Sequence, residues 1–174
     1  MTVPAGSETM RTELNEAFDT ILRMQPVAYA DLYGSSDYPD VHGTVYFYPF
    51  WDGTLVVAEA AGLPFTDQAC TEGIFGFHIH EGEFCRGTEE DPFSDTGSHY
   101  NPEDCEHPEH AGDFPPLFGN NGYALSMFYT HRFLPDEVIG RTVVIHEHSD
   151  DFHSQPSGDS GMKMACGQIK GETA

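Results

Sequence analysis

Seven short segments of β-strand character, separated by turn residues, constrain the fold more than any other feature of this sequence. They are rich in β-branched and aromatic residues and cover residues 27–33, 43–50, 53–62, 74–80, 123–130, 141–148 and 163–170. Asp52 and Gly53, between the second and third segments, are typical of a two-residue hairpin turn. Short strands interrupted by two long insertions predict an antiparallel sandwich or barrel.

The segment before Pro26 has a helical pattern instead. Over residues 7–24 the apolar side chains fall on one helical stripe, formed by Met10, Leu14, Phe18, Ile21 and Leu22. The pattern predicts one amphipathic helix that packs against the domain or against a partner. We therefore expect an N-terminal helical extension over residues 1–25 and a single β-domain over residues 26–174.

The charge balance excludes several classes of partner. The 174 residues include 29 Asp and Glu but only 7 Lys and Arg, which gives a formal net charge of -22. Such a surface repels phosphate groups, so we expect no binding to nucleic acid or to an anionic membrane. No apolar run approaches the roughly 20 residues that a membrane span needs.

The N-terminal sequence and the cysteines leave the compartment open. The stretch "MTVPAGSETMRTELN" has neither a basic region nor an apolar core of the signal-peptide type. This fits a cytoplasmic protein or the mature form of an exported one. Four cysteines, at positions 70, 85, 105 and 166, allow two disulfides in three possible pairings. The sequence has no CxxC motif, so a zinc ribbon is not indicated.

Two histidines one residue apart, His78 and His80, occur in "GFHIHEG". Side chains at i and i+2 leave one face of a strand, so the two imidazoles could close on a metal ion. They could equally be surface histidines on a half-buried strand. The motif by itself does not decide between these readings.

The long insertion over residues 81–121 supplies further metal-ligand residue types. It contains His99, His107, His110 and Asp113, and three imidazoles with one carboxylate suit tetrahedral zinc. A later strand segment adds His146, and Asp150 follows it closely. Loops of this length inside a compact domain are usually functional.

Six motifs, in order, resemble the copper/zinc superoxide dismutase family, and its bacterial members in particular. They are "GFHIHEG", "GSHYNP", "HAGDFPPL", "GNNGYA", "GRTVVIHEHSDD" and "SGMKMACGQI". The resemblance as a whole covers roughly residues 27–170, nearly all of the chain after the N-terminal helix. The resemblance implies an all-β fold, an eight-stranded Greek-key β-barrel. Cupins also place an HxH motif on a β scaffold, but their second histidine module has no counterpart after residue 85.

The resemblance also implies an activity and two metals. The implied copper ligands are His78, His80, His99 and His146, and the implied zinc ligands are His99, His107, His110 and Asp113. His99 would then bridge the metals, and Asp150 would accept hydrogen bonds from one copper histidine and one zinc histidine. The implied reaction is disproportionation of superoxide by Cu(II)/Cu(I) cycling with a structural zinc. The substrate partner is superoxide, and a homodimer is compatible with the resemblance.

Two cysteines match the internal disulfide of the family, Cys85 and Cys166. This bond would close a loop of about 80 residues and contribute roughly 4 kcal/mol in the chain-entropy model. Cys70 and Cys105 match no general family feature. They form either a second disulfide or two free thiols.

Lys163 is the clearest departure from the family pattern. The family usually has an arginine three residues before the second disulfide cysteine, beside the open copper position. Lysine offers superoxide a point charge instead of a planar fork. We treat Lys163 and His99 as the candidate catalytic residues; the alternative for Lys163 is an ordinary surface lysine at a strand end.

A second function belongs to a different class: a metal-binding protein with this fold and little turnover, in a copper-handling or accessory role. The complete set of histidine and aspartate ligands favours the enzyme. Lys163 and the acidic surface favour the alternative. The other histidines, His42, His131, His148 and His153, are expected to be structural or exposed rather than ligands.

Overall fold

The computed structural model describes residues 14–16, 18–21, 23–68 and 73–172. This part of the chain is built mainly of short β-strands. The strands are β1 (Ala28–Gly34), β2 (His42–Phe50), β3 (Gly53–Ala61), β4 (Ile74–Phe75), β5 (Phe77–His80), β6 (Leu117–Phe118), β7 (Tyr123–Thr130), β8 (Thr142–His146) and β9 (Lys163–Gly171). Their positions follow the β-branched and aromatic segments, as the sequence predicts.

Seven strands form one antiparallel sheet in the order β5-β8-β9-β1-β2-β3-β7, and β4 pairs with β6 in a separate ladder. The strands β1, β2 and β3 follow one another as hairpins. The chain then crosses to the opposite edge at β5, returns to lie beside β3 as β7, and crosses again before β8. The sheet curls around an apolar core whose largest fully buried side chains include Phe47, Phe77, Ile79 and Met164. The expected all-β architecture is confirmed.

The strand predicted at residues 74–80 is divided at Gly76. The Gly76 N–H donates to the carbonyl of His148 at 2.7 Å, and its carbonyl accepts from the His146 N–H at 2.8 Å. The backbone at Gly76 therefore pairs with the segment after β8 and separates β4 from β5. Counting β4 and β5 as one strand, and including the unpredicted β6, gives the expected eight strands.

The helical pattern before Pro26 is confirmed where the structure describes it, at residues 14–16, 18–21 and 23. Ile21 packs on the outer face of the sheet beside Tyr46 and Val57, whereas Leu14 and Phe18 are about half exposed. Met10 and Leu22 lie outside the described residues. Within the described chain, no helix is both long enough and apolar enough to cross a bilayer.

The pairing at one end of the sheet positions the candidate site. β5 pairs with β8, and β8 pairs with β9, where His146 lies opposite Lys163 after an irregularity in the register. The long loop after β5 returns to this strand twice, through the isolated bridges His80–His99 and His78–Asp113. Residues that are distant in sequence therefore meet beside β5.

Candidate metal centre

The two histidines of β5 are buried, and their rings lie in one cluster with His146. His78 is fully buried and His80 is 2% exposed. The Nε2 atoms of His80 and His146 are 3.2 Å apart, and the ring centroids of His78 and His146 are 5.0 Å apart. The HxH motif is therefore part of a histidine cluster and not of an exposed strand face.

His99 joins this cluster from the long loop. Its ring stacks on that of His78 with a centroid distance of 3.9 Å. Its Nδ1 atom lies 2.7 Å from Oδ1 of Asp113. The ring of His99 therefore contacts both the histidine cluster and a carboxylate of the long loop.

The second set surrounds the carboxylate of Asp113. Its Oδ2 atom is 3.1 Å from Nδ1 of His107 and 3.2 Å from Nδ1 of His110. The same oxygen accepts a hydrogen bond from the backbone N–H of His110 at 3.0 Å. Arg132 supports this loop, because its Nη1 donates to the carbonyl oxygen of His110 at 2.8 Å.

Two groups of potential ligand atoms result, and within each group the atoms lie within 4.8 Å of one another. The first group is His78, His80, His99 and His146, and the second is His99, His107, His110 and Asp113. Both coincide with the ligand sets implied by the sequence, and His99 belongs to both. The remaining histidines are exposed and outside both groups: His42, His131, His148 and His153.

Four buried ring nitrogens in these groups have no described partner in hydrogen-bonding geometry, although two of them lie near Oδ2 of Asp113. They are Nδ1 of His78, His107 and His110 and Nε2 of His99. A buried polar atom without a partner is destabilising, and a bound cation would supply the missing interaction. Imidazole nitrogens suit both copper and zinc, and the carboxylate suits zinc. The residues present therefore fit these two metals.

Asp150 fixes the orientation of two of these rings. Its Oδ2 lies 2.8 Å from Nε2 of His78, and its Oδ1 lies 2.9 Å from Nε2 of His107. Burial alone would raise the pKa of this carboxyl, but hydrogen bonds from His78, the Phe152 N–H and His107 hold it well below its usual range. An ionised carboxylate only accepts, so both rings donate from Nε2 and keep Nδ1 free for a ligand role.

Three histidines of the first group, His78, His80 and His146, have lowered pKa values that favour the neutral ring at physiological pH. Burial is the largest cause, and it lowers the pKa of His78 to about 4. Burial likewise lowers the pKa values of His80 and His146 well below the usual value for histidine. Neutral rings have a lone pair available, which metal binding requires.

Two residues that the sequence analysis missed hold the loop after β8 against His107. The Gln155 side chain accepts from the His107 N–H at 2.9 Å and donates to the His107 carbonyl at 2.7 Å. Gly158 has φ +67°, and a Cβ atom there would overlap Oδ1 of Asp150 and Nε2 of His107. Neither contact has a sequence signal, because glutamine and glycine are common in loops of every kind.

The disulfide Cys85–Cys166 is present, with a Cα–Cα distance of 5.7 Å and a sequence separation of 81. Cys166 is fully buried against Phe93 and Val144. The bond ties the beginning of the long loop to β9. Cys105 forms no disulfide with any described residue. Cys70 lies outside the described residues, so the pairing of these two cysteines stays a prediction.

Lys163 lines a cavity of about 440 Å³ together with His80, His99 and His146. Its side chain is only 15% exposed, so it is not an ordinary surface lysine. Its Nζ atom is 3.3 Å from Oδ2 of Asp91. The cavity therefore joins the histidine cluster to one ammonium group.

A curled antiparallel β-fold that buries two four-ligand groups with one shared imidazole defines a class of binuclear metalloproteins. Residues 41–169 match the family described as "Copper/zinc superoxide dismutase (SODC)". The chain is 34% identical over 161 residues to "Superoxide dismutase [Cu-Zn]" of Deinococcus radiodurans, covering 82% of this chain and 84% of the relative. The protein belongs to the copper/zinc superoxide dismutase family.

Other similar proteins agree with this assignment. A "Superoxide dismutase [Cu-Zn]" of Pasteurella multocida is 36% identical over 136 residues, which cover 68% of this chain and 73% of the relative. A solved structure, a double mutant of a SOD-like protein from Bacillus subtilis, aligns with a TM-score of 0.66 at 26% identity. That alignment covers 82% of this chain and 97% of the other chain.

Proposed function

We propose that this protein is a superoxide dismutase, an oxidoreductase that converts two superoxide anions and two protons into dioxygen and hydrogen peroxide. The observation that carries the proposal is the pair of four-ligand groups that share His99. Membership of the family supports the same activity.

The first group is proposed to hold copper through His78, His80, His99 and His146. The second is proposed to hold zinc through His99, His107, His110 and Asp113. Copper, when bound, supplies the one-electron chemistry, since Cu(II) can oxidise one superoxide and Cu(I) can reduce the next. Zinc has no redox chemistry, so its role is structural.

His99 is proposed to hold a proton for the peroxide product. Its Nδ1 atom lies 2.7 Å from Oδ1 of Asp113, whereas its Nε2 atom has no hydrogen-bond partner among the described residues. The ring can therefore carry a proton at Nε2 while its Nδ1 side stays within the second group. Asp150 prevents His78 and His107 from turning away, because it holds their Nε2 atoms.

Lys163 is proposed to bind the superoxide anion at the cavity wall. Its ammonium group lines the cavity that also contains His80, His99 and His146. A reversed charge at this position would repel the anion where it must bind. We therefore expect Lys163→Glu to lower kcat/KM more than about tenfold and Lys163→Arg to raise it modestly.

The activity is tested by superoxide consumption with protein loaded with copper and zinc, and with metal-free protein as the control. Metal content is measured in parallel. His99→Ala should reduce both metals, Asp113→Ala should mainly reduce zinc, and His42→Ala, at an exposed position outside both groups, should reduce neither. Full occupancy of both metals in His99→Ala would show that the shared-ligand assignment is wrong. Loaded protein without turnover would refute the activity.

A further inference from the structure

The ammonium group of Lys163 does not face the cavity as a free charge. Its Nζ atom is 3.3 Å from Oδ2 of Asp91 and 3.3 Å from the carbonyl oxygen of Phe93. The Lys163 side chain is 15% exposed and that of Asp91 is 44% exposed. The lysine thus lies between the cavity and a carboxylate on its outer side.

The position of Asp91 is fixed by its own backbone and side-chain contacts. Its N–H donates to Oγ1 of Thr88 at 3.1 Å, and its Oδ1 accepts from the Phe93 N–H at 3.2 Å. The disulfide Cys85–Cys166 ties the loop that carries Asp91 to the strand that carries Lys163. Asp91 is therefore held beside the lysine and is not a mobile surface carboxylate.

The other charged residues along the cavity further weaken the attraction of Lys163 for anions. Among the described residues that line the cavity, Lys163 is the only lysine or arginine, and the two carboxylates are Glu81 and Asp104. A carboxylate at contact distance turns the single positive charge into a short dipole, whose attraction for an anion falls off more steeply with distance than that of a free charge.

We propose that Asp91 is a specificity-determining residue that neutralises Lys163 and so weakens the binding of small monoanions in this cavity. For superoxide the inference rests on the proposed function, but it applies to any monoanion that enters the cavity. Asp91 does not touch the substrate and acts through Lys163. A purely structural role, in which Asp91 only ties its loop to β9, would leave anion affinity unchanged.

The test compares Asp91→Asn with Glu89→Gln. Asparagine keeps the Oδ1 acceptor for the Phe93 N–H and removes the charge. Glu89 lies in the same loop and is exposed, so its variant controls for the change in net charge. Both proteins, loaded with copper and zinc, are titrated with sodium azide at constant ionic strength while the Cu(II) absorption is followed.

We expect the azide Kd to fall at least about threefold in Asp91→Asn and less than about 1.5-fold in Glu89→Gln, because only Asp91 masks the cavity cation. The value of kcat/KM for superoxide should likewise rise more in Asp91→Asn than in Glu89→Gln. Equal azide affinity in the two variants, or a weaker affinity in Asp91→Asn, would overturn the inference.

A thermal melt of each variant verifies folding. Asp91→Ser, whose hydroxyl can also accept from the Phe93 N–H, replaces Asp91→Asn if the latter does not fold.

The outcomes distinguish this inference from the proposed function. If every protein lacks dismutase activity but the azide affinities of the variants differ as expected, the proposed function is wrong and the role of Asp91 stands. If dismutation is present and the variants behave alike, the role of Asp91 is wrong and the function stands.

Discussion

At the scale of single residues, Gly158 determines how closely the loop after β8 approaches the metal centre. Its φ of +67° is a conformation that side chains with a Cβ rarely adopt, and the space for a Cβ is occupied by Asp150 and His107. Gly140 has an even larger φ of +90°, but a Cβ there would meet no described atom within 4 Å. Comparing substitutions at the two glycines therefore separates the effect of backbone strain from the effect of steric overlap.

This contrast gives the first prediction. Gly140→Ala and Gly158→Ala should each lose about 1 kcal/mol of stability from the left-handed backbone. Gly158→Ala should in addition lose roughly 10- to 100-fold in zinc affinity, because its methyl group displaces the carboxylate that orients His107. Zinc release to a colorimetric chelator measures the difference. The same zinc affinity in both variants would show that Gly158 does not support Asp150.

The buried histidines give a second prediction, for the stability of the metal-free protein. Burial lowers the pKa of His78 to about 4, and it also lowers the pKa values of His80 and His146 well below the usual value of 6.5. Below pH 6.5 the unfolded chain therefore binds protons that the folded chain excludes. Stability is at its maximum above pH 6.5 and declines as the pH falls toward 4.

His78 alone would account for about 3 kcal/mol, since one pKa unit corresponds to about 1.4 kcal/mol. We expect the Tm of the metal-free protein to fall by at least about 10 °C between pH 7 and pH 4.5. Calorimetry across this range is the measurement. The exposed His42 supplies the control, because His42→Gln should keep the same profile. A Tm that does not change with pH would contradict the burial argument.

The metal ligands could be predicted from sequence because histidine and aspartate are the residue types that these metals select. The assignment of these ligands to two metal sites depended on the family resemblance, because sequence spacing alone does not show that His146 lies beside His80. Gln155 and Asp91 could not be predicted. One acts on the backbone of His107 and the other on the ammonium group of Lys163, and both contacts exist only after the loops have folded.

At the scale of structural elements, the long loop after β5 depends on its disulfide. The bond Cys85–Cys166 anchors the beginning of this loop to β9, on which Lys163 lies. The same loop brings Asp91 to the cavity and His99 to the cluster. Reduction of the disulfide would increase the conformational entropy of the unfolded chain. It would also remove the covalent link that holds the loop in the folded protein.

The third prediction concerns this bond. With a sequence separation of 81, the chain-entropy model gives a contribution of roughly 4–5 kcal/mol. Cys85→Ser combined with Cys166→Ser should therefore lower the Tm by roughly 10–15 °C. The exposed Glu89 supplies the control, and Glu89→Gln should change the Tm by less than about 2 °C. Equal melting of the two variants would contradict a stabilising disulfide.

The strands could be predicted closely because their β-branched and aromatic residues alternate with clear turn signals. β2 and β3 form the predicted hairpin, but its two loop residues are Trp51 and Asp52, because Gly53 already pairs with Phe50. The division at Gly76 was missed because it results from pairing with the chain after His146, more than 70 residues away in the sequence. β6 was missed because a strand of two residues has too short a pattern to be recognised.

At the scale of the whole molecule, the net charge of -22 opposes the approach of an anionic substrate. The cavity offers little compensation, because its only lysine is paired with Asp91 within the part of the chain that the structure describes. Salt screens charges that are more than about 8–10 Å away at ionic strengths of 0.1–0.15 M. Added salt therefore removes more repulsion than attraction.

The fourth prediction follows from this balance. The value of kcat/KM for superoxide should stay constant or rise between low and moderate ionic strength. Pulse-radiolysis or stopped-flow measurements in a series of sodium perchlorate concentrations would show this dependence. A steep fall of the rate with salt would mean that local attraction by Lys163 exceeds the repulsion from the acidic surface.

The pairing of the first strand with the last makes the fold insensitive to where the polypeptide is cut. Ala28 lies opposite Gly171, and the Glu172 N–H donates to the carbonyl of Val27 at 2.9 Å. A short peptide between Glu172 and Val27 could therefore close the β-domain into a ring, which could then be opened at the hairpin turn formed by Trp51 and Asp52. Such a circular permutant would keep every proposed ligand, from His78 to His146, in its original order.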